Sequence, residues 1–88
     1  MMNLGERVHL LRRRLGWTQR ELAEASHVNL NNIARIERSE IRDPGGQTIA
    51  RLAKALGTTT DYLLGLSEEA GIKSESQPTE LATAGREA

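Results

Sequence analysis

The sequence predicts an all-α domain of five short helices, and three observations carry that prediction. Apolar residues recur three or four positions apart in successive stretches, which places them on one face of a helix. The strict alternation of apolar and polar residues that indicates a half-buried strand is not found. Glycine, proline and helix-capping residues separate the stretches. At 88 residues, the chain is long enough for one small domain.

The first two helices are predicted at about 3–14 and 18–25. Four apolar residues share one face of the first helix: Leu4, Val8, Leu11 and Leu15. Gly16 ends this helix, since glycine readily takes the left-handed conformation that follows many helices. The second helix begins at the capping box TQRE, in which Thr18 and Glu21 accept hydrogen bonds from each other's backbone amides.

A tight connection links the second and third helices. Only about four residues, SHVN, separate them, which is typical of a helix-turn-helix. The third helix is predicted from a capping Asn29 to about Arg38. Its Ile33 and Ile36 are three positions apart and are expected to face the core.

Two further helices complete the predicted domain. The stretch IRDPGG interrupts the chain, and a fourth helix is then expected at about 47–56, ended by Gly57. A fifth helix is expected at 61–66, with Thr59 or Thr60 as its cap.

The domain is predicted to occupy 1–66, and 67–88 is predicted to be an acidic, disordered tail. The first range holds ten Lys and Arg against seven Asp and Glu, a net charge of +3, whereas the tail holds two against five, a net charge of −3. Few large apolar residues remain in the tail to support folding, and a short helix at about 79–84 is the one element expected there. A basic, arginine-rich domain fits a polyanion binder, and a solvated surface is the alternative.

The composition excludes several classes of function. Without cysteine there are no disulfides, thiol catalysis or Cys-ligated metals, and two histidines argue against zinc, so no metal or cofactor is expected. An enzyme is the least favoured interpretation, because no nucleophile–base pair, phosphate loop or carboxylate pair is found. No apolar run approaches the ~20 residues of a membrane span, and MMNLGERV lacks a signal peptide's apolar core, so a cytoplasmic location is expected.

Two stretches, LGWTQRELAEASHVNLNNIARIERSE and RLAKALGTTTDYLL, together resemble the Cro/repressor-type, or Xre-type, helix-turn-helix family. The resemblance covers about 4–66 and implies a compact five-helix, lambda-repressor-like domain that binds operator DNA. The chain departs from the family at His27 and Ser39, which replace common glycines, and at Gly45-Gly46, which replaces the usual cap of the fourth helix. Because histidine tolerates positive φ better than most residues, the fold is expected to survive.

The third helix carries the candidate base contacts. With Ile33 at the core and about 100° per residue, Asn31 and Arg35 fall on the opposite face and Asn32 falls on a flank. The resemblance implies that these positions face base edges, where Asn pairs with adenine and Arg with guanine. Asn31 is otherwise an ordinary exposed residue, and Asn32 otherwise supports the helix start or touches a phosphate. Leu30 either meets a thymine methyl group or packs against the second helix.

Candidate phosphate contacts surround the third helix: Thr18, Gln19, Arg38 and Arg42. Free amides and the positive dipole end favour a phosphate at the start of the second helix. The resemblance implies that Gln19 bonds a phosphate and braces a residue of the recognition helix; the alternative is a surface glutamine. Arg42 is expected to approach the sugar-phosphate backbone. Arg13 and Arg14 are weaker candidates for phosphate contacts, and a solvated face is the default alternative.

One acidic residue of the third helix requires a partner. Glu37 lies about 40° from Ile33 on the helical wheel, on the inner side. A buried carboxylate must be paired, and the resemblance implies a structural ion pair with Arg12. Trp17 is expected in the core rather than stacked on bases, because an apolar residue before a cap closes the helix entry.

These patterns predict a sequence-specific, double-stranded DNA-binding transcriptional regulator, most simply a repressor. It would read a palindromic operator as a homodimer, with helix 29–38 in the major groove. The pairing surface is expected near the end of the domain: Tyr62, Leu63, Leu64 and Leu66. One alternative is an antitoxin that binds DNA and, through the tail or the fifth helix, a toxin. Another is a helical protein-interaction adaptor without DNA binding.

Overall fold

The computed structural model describes residues 2–69, and these residues form five α-helices with no strand. The helices are α1 (Leu4–Arg14), α2 (Gln19–Ser26), α3 (Leu30–Glu37), α4 (Gly46–Leu56) and α5 (Thr60–Leu64). The predicted all-α class is confirmed, and each of the five predicted helices is found with its ends shifted by two residues or fewer. The helix predicted at 79–84 lies outside the described residues.

Polar side chains cap four of the five helices. Asn3 and Thr18 form reciprocal capping boxes with the third residue of α1 and of α2. Asn29 caps α3, and Thr59, rather than Thr60, caps α5. Helix α4 has no side-chain cap, because Gly45 occupies that position with φ 95°. The replacement of the usual cap by Gly45-Gly46 therefore leaves the start of α4 without a side-chain hydrogen bond.

The core is aliphatic apart from Tyr62, and the inner face of each of the five helices contributes to it. Helix α3 packs between α1 and α2, and α4 packs against α2 and α5. The buried apolar residues are Val8, Leu11, Leu22, Val28, Ile33, Ile36, Ile49, Leu52, Ala53, Leu56, Tyr62 and Leu63. Gly5 allows the start of α1 to approach the end of α3, because a β-carbon there would collide with the carbonyl oxygen of Ile36. This contact holds the end of α3 against α1.

The prediction that Leu15 faces the core is wrong. Leu15 is 46% exposed, because α1 ends at Arg14 and the chain turns through Gly16 at φ 73°. Trp17 covers that end of the core, partly buried against it as expected.

The buried face of α1 instead contains Arg7, which is only 2% exposed. Its guanidinium carbon lies 4.5 Å from the centroid of the Tyr62 ring, and its Nε donates to the carbonyl of Met2. Within residues 2–69, its Nη1 has no hydrogen-bond partner. Glu68 approaches Nη2 at 3.7 Å, so a residue assigned to the tail contacts the predicted domain.

Candidate nucleic-acid interface

The outward face of α3 presents the candidate base contacts to solvent. Ile33 and Ile36 are fully buried on the inner face, whereas Asn31, Asn32 and Arg35 are exposed. This division follows from the helical period, which places Asn31 and Arg35 about half a turn from Ile33 and leaves Asn32 on a flank. Leu30, at the start of the helix, is half-buried.

The three asparagines at the start of α3 have different roles. The side-chain oxygen of Asn29 accepts hydrogen bonds from the amides of Asn31, at 2.8 Å, and Asn32, at 3.3 Å. Asn29 therefore satisfies two of the amides that a helix start leaves free. The side chains of Asn31 and Asn32 are not needed for capping and lie at the surface, within reach of a ligand approaching the helix.

The turn before α3 sets the angle between the two helices of the motif. His27 adopts the left-handed conformation, with φ 59° and ψ 31°, and its side chain is exposed. Ser26 is buried and donates from its hydroxyl to the carbonyl of Leu22, while the hydroxyl accepts from the amide of Val28. The left-handed backbone at His27 therefore lies beside a buried hydroxyl that both donates and accepts a hydrogen bond.

Glu37, at the end of α3, is held by three side chains from α1 and α2. Arg12 donates from Nε to Oε2 at 2.7 Å and from Nη2 to Oε1 at 3.0 Å. Gln19 donates from Nε2 to Oε1 at 3.1 Å, and Nδ1 of His9 lies 3.0 Å from the same oxygen. The side chains of Arg12 and Glu37 are 9% and 4% exposed.

Together, the hydrogen bonds to Glu37 affect its pKa more strongly than its burial does. Burial alone raises the pKa of Glu37, but the bonds from Arg12, His9 and Gln19 lower it, and the net pKa lies below its ordinary value. The carboxylate is therefore ionised at neutral pH. Arg12 also donates from Nη1 to the carbonyl of Trp17 at 2.6 Å, which ties the α1–α2 connection into the same network.

Gln19 lies in the first turn of α2 and bonds Glu37 of α3, the kind of bracing contact that the family resemblance implied. Its Nε2 uses one N–H in that bond, so a phosphate would meet the second N–H of Nε2 or the free backbone amides at the start of α2. Thr18, the cap residue, is exposed at the same helix start. Phosphate binding by Thr18 and Gln19 stays a prediction.

Ser39 ends α3 in an unusual backbone conformation. It has φ 63°, in the left-handed region that favours glycine. Its amide donates to the carbonyl of Ile36 at 2.9 Å, and the amide of Glu40 donates to the carbonyl of Arg35 at 2.8 Å. This pair of bonds is a Schellman motif, which turns the chain back over the last turn of the helix.

The turn brings Glu40 between two of the candidate DNA-contacting arginines. Arg38 donates from Nε and Nη2 to the two carboxylate oxygens at 2.9 and 3.2 Å, and Nε of Arg35 lies 3.7 Å from Oε1. The bond from Arg38 lowers the pKa of Glu40, and the same bond raises the pKa of Arg38. All three side chains are about half exposed, so water and salt weaken these pairs.

The remaining candidates are separated from this cluster. Arg13 and Arg14 are exposed at the end of α1. Arg42 is exposed beyond α3, where it lines a shallow groove with Met2 and Leu64. The structure therefore supports a surface centred on α3 and flanked by cations, without assigning a phosphate to any of them.

No role was predicted from the sequence for three residues that lie at the candidate interface or in the packing beneath it. A signal existed for Arg7, which is three residues after Leu4 and four before Leu11, both on the core face. No local pattern marked His9 as a partner of Glu37. Glu40 was not predicted because its position depends on the left-handed conformation of Ser39. A serine residue does not by itself indicate that conformation.

A tightly connected helix pair, with a capped second helix whose polar face is open to solvent, defines a helix-turn-helix domain. The family model described as "Helix-turn-helix" matches 8–63, and the chain belongs to this family, in its Cro/repressor-type branch.

Three proteins illustrate the similarity. The HTH-type transcriptional regulator ImmR of Bacillus subtilis is 40% identical over 67 residues, which are 76% of this chain and 52% of ImmR. The competence pilus inhibition repressor of Acinetobacter baylyi is 34% identical over 67 residues, 76% of this chain and 60% of the relative. The chain thus spans about half to three-fifths of these relatives. A crystal structure of the P22 c2 repressor in complex with synthetic operator 9T, in the presence of Tl+, matches with TM-score 0.70 and 34% identity, covering 76% of this chain and 100% of that chain.

Among residues 2–69, no helix is both long and apolar enough to cross a membrane.

Proposed function

We propose that this chain is a sequence-specific, double-stranded DNA-binding transcriptional repressor, acting in the cytoplasm without enzymatic activity. It reads a palindromic operator as a homodimer, with α3 in the major groove. Asn31, Asn32 and Arg35 read base edges, Leu30 contacts a thymine methyl group, and phosphates bind around the start of α2 and beyond the end of α3.

One observation carries the proposal: α3 buries Ile33 and Ile36 completely while exposing Asn31 and Arg35 on the opposite face. Asparagine and arginine are the side chains that pair bidentately with adenine and guanine. A protein-interaction adaptor would instead be expected to expose apolar anchors along this face. The similarity to a repressor solved with its operator supports the same function.

The dimer is proposed from the apolar surface near the end of the domain. Tyr62 and Leu63 are buried in the core, which leaves Leu64 at 49% and Leu66 at 74% exposed as the pairing residues. Met2, 38% exposed, joins Leu64 in lining the same groove. A surface this small suits a weak dimer that forms fully on DNA, where two half-sites lie about 34–36 Å apart.

The test is selection of genomic DNA fragments by the full chain, followed by sequencing of the bound fragments. We expect an enriched palindrome whose half-sites are separated by one helical turn. A variant with Asn31→Ala and Arg35→Ala is expected to lose the enrichment. The control is Lys54→Ala, which removes one cation from the exposed side of α4 and is expected to retain it. Recovery of no motif by the wild-type chain would contradict the proposal.

A further inference from the structure

The carboxylate of Glu40 is positioned to compete with DNA for two arginines. It accepts two hydrogen bonds from Arg38 and lies 3.7 Å from Nε of Arg35. Its position is not left to a flexible loop, because the Glu40 amide donates to the Arg35 carbonyl at 2.8 Å. Ser39, at φ 63°, maintains that turn. A negative charge on a backbone held by these bonds therefore lies at the end of the proposed recognition helix.

The two arginines are occupied to different extents. Arg38 uses Nε and one terminal nitrogen on Glu40, so a phosphate must displace the carboxylate to bind that edge of the guanidinium. Arg35 approaches Glu40 through Nε at 3.7 Å, which is longer than a hydrogen bond, so its two terminal nitrogens can turn toward a base. Two terminal nitrogens are what a guanine requires, since its O6 and N7 accept a bidentate pair.

We propose that Glu40 is a specificity-determining residue, which weakens binding to arbitrary DNA and orients Arg35 for base reading. The inference rests on the proposed function and adds a residue that increases the discrimination between operator and arbitrary DNA. Binding to arbitrary DNA comes almost entirely from contacts between cations and phosphates. A carboxylate beside the DNA repels those phosphates and occupies Arg38, so every sequence loses affinity. Only a site with the correct base opposite Arg35 regains it, through a guanidinium that the charge of Glu40 already attracts from 3.7 Å.

The experiment compares the operator duplex recovered from genomic selection with a duplex of the same length and scrambled sequence. Affinities of the full chain are measured at several salt concentrations. The central variant is Glu40→Gln, which keeps the shape of the side chain and removes its charge. The matched control is Glu24→Gln, which removes the same charge from an exposed position on α2.

For Glu40→Gln we expect binding to scrambled DNA to tighten several-fold and binding to the operator to tighten less, so that the ratio of the two affinities falls. The slope of log affinity against log salt on scrambled DNA should steepen by about 0.9 for each phosphate newly neutralised. Glu24→Gln should leave the ratio unchanged. If Glu40→Gln changes both affinities by the same factor, Glu40 contributes only net charge and the inference is overturned.

A second variant separates orientation from charge. Glu40→Asp keeps the negative charge but shortens the side chain, which withdraws it from Nε of Arg35. We expect weak binding to scrambled DNA to persist and the preference at the base pair sensitive to Arg35→Ala to relax. A wild-type preference in Glu40→Asp would overturn the orienting role. If wild-type protein itself fails to discriminate between the two duplexes, the proposed function is wrong; if it discriminates and both variants match it, only the inference is wrong.

Discussion

Arg12 of α1 and Glu37 of α3 form a bidentate ion pair, and both side chains are more than nine-tenths buried. The pair joins the first helix to the end of the proposed recognition helix, and Gln19 links α2 to the same carboxylate. Three helices of the domain therefore meet at one charged group. The orientation of the proposed DNA-binding surface depends on this contact as well as on the hydrophobic core.

Replacing Glu37 with alanine is expected to destabilise the fold by about 3–5 kcal/mol, because Arg12 would remain buried without its partner. Urea unfolding measures the change. Glu24→Ala, an exposed position on α2, serves as the control and is expected to change stability by less than about 0.5 kcal/mol. A loss for Glu37→Ala no larger than that of the control would mean that the pair contributes little.

The ion pair also predicts a dependence of stability on pH. The pKa of Glu37 is lower in the folded protein than its ordinary value of 4.5, so folding favours the ionised carboxylate. The resulting stabilisation is fully present above pH 4.5 and is lost as the pH falls through the lower, folded-state pKa. Unfolding free energies of wild type and Glu37→Gln, measured from about pH 7 down to about pH 3, should converge at the acid end. A difference that stays constant would show that the pKa is not shifted by folding.

His27→Gly is expected to stabilise the protein by up to about 1 kcal/mol. A non-glycine residue in the left-handed region costs about 1–2 kcal/mol, and the greater freedom of glycine in the unfolded chain offsets part of that gain. Thermal melting provides the measurement. The control, Ala50→Gly, places glycine at an exposed position inside α4 and should destabilise by about 1 kcal/mol. Equal losses for both variants would show that the turn does not strain His27.

Arg35→Ala is expected to weaken operator binding by about 1–3 kcal/mol and to relax the preference at one base pair in each half-site. Its exposed position opposite Ile33 is the reason. Binding to a panel of operators with single-base changes tests this, with Lys54→Ala as the control. An unchanged base profile, with affinity reduced equally for every operator, would make Arg35 a phosphate contact.

A chain ending at Ser67 is expected to fold and, at low salt, to bind DNA at least as tightly as the full chain. Residues 67–88 carry a net charge of −3, which phosphates repel. The truncation removes Glu68, but that side chain is 73% exposed and 3.7 Å from Arg7, so its contribution is about 0–1 kcal/mol. A chain ending at Glu69 is the control. If only the shorter chain fails to fold, the domain includes Glu68, and the boundary after residue 66 is wrong.

The sequence by itself determined the five helices and the inward face of α3. Each of these features depends on residues a few positions apart, such as the capping box between Thr18 and Glu21 or the spacing of Ile33 and Ile36. Local hydrogen bonds and the helical period act over that distance, so the pattern is visible in the chain. The prediction for Leu15 failed because the same period was extended past the end of α1.

Tertiary structure decided how the charged groups are paired. Glu37 lies 25 residues from Arg12 and 18 from Gln19, and these groups meet only because α1, α2 and α3 pack around a common core. The resemblance to known proteins suggested the first pair, but the spacing of the residues did not. Glu40 is close in sequence to Arg35 and Arg38, yet the backbone turn at Ser39 decides where its carboxylate lies. Patterns in a sequence record which faces are apolar, whereas the pairing of charges depends on distances that only the packed helices establish.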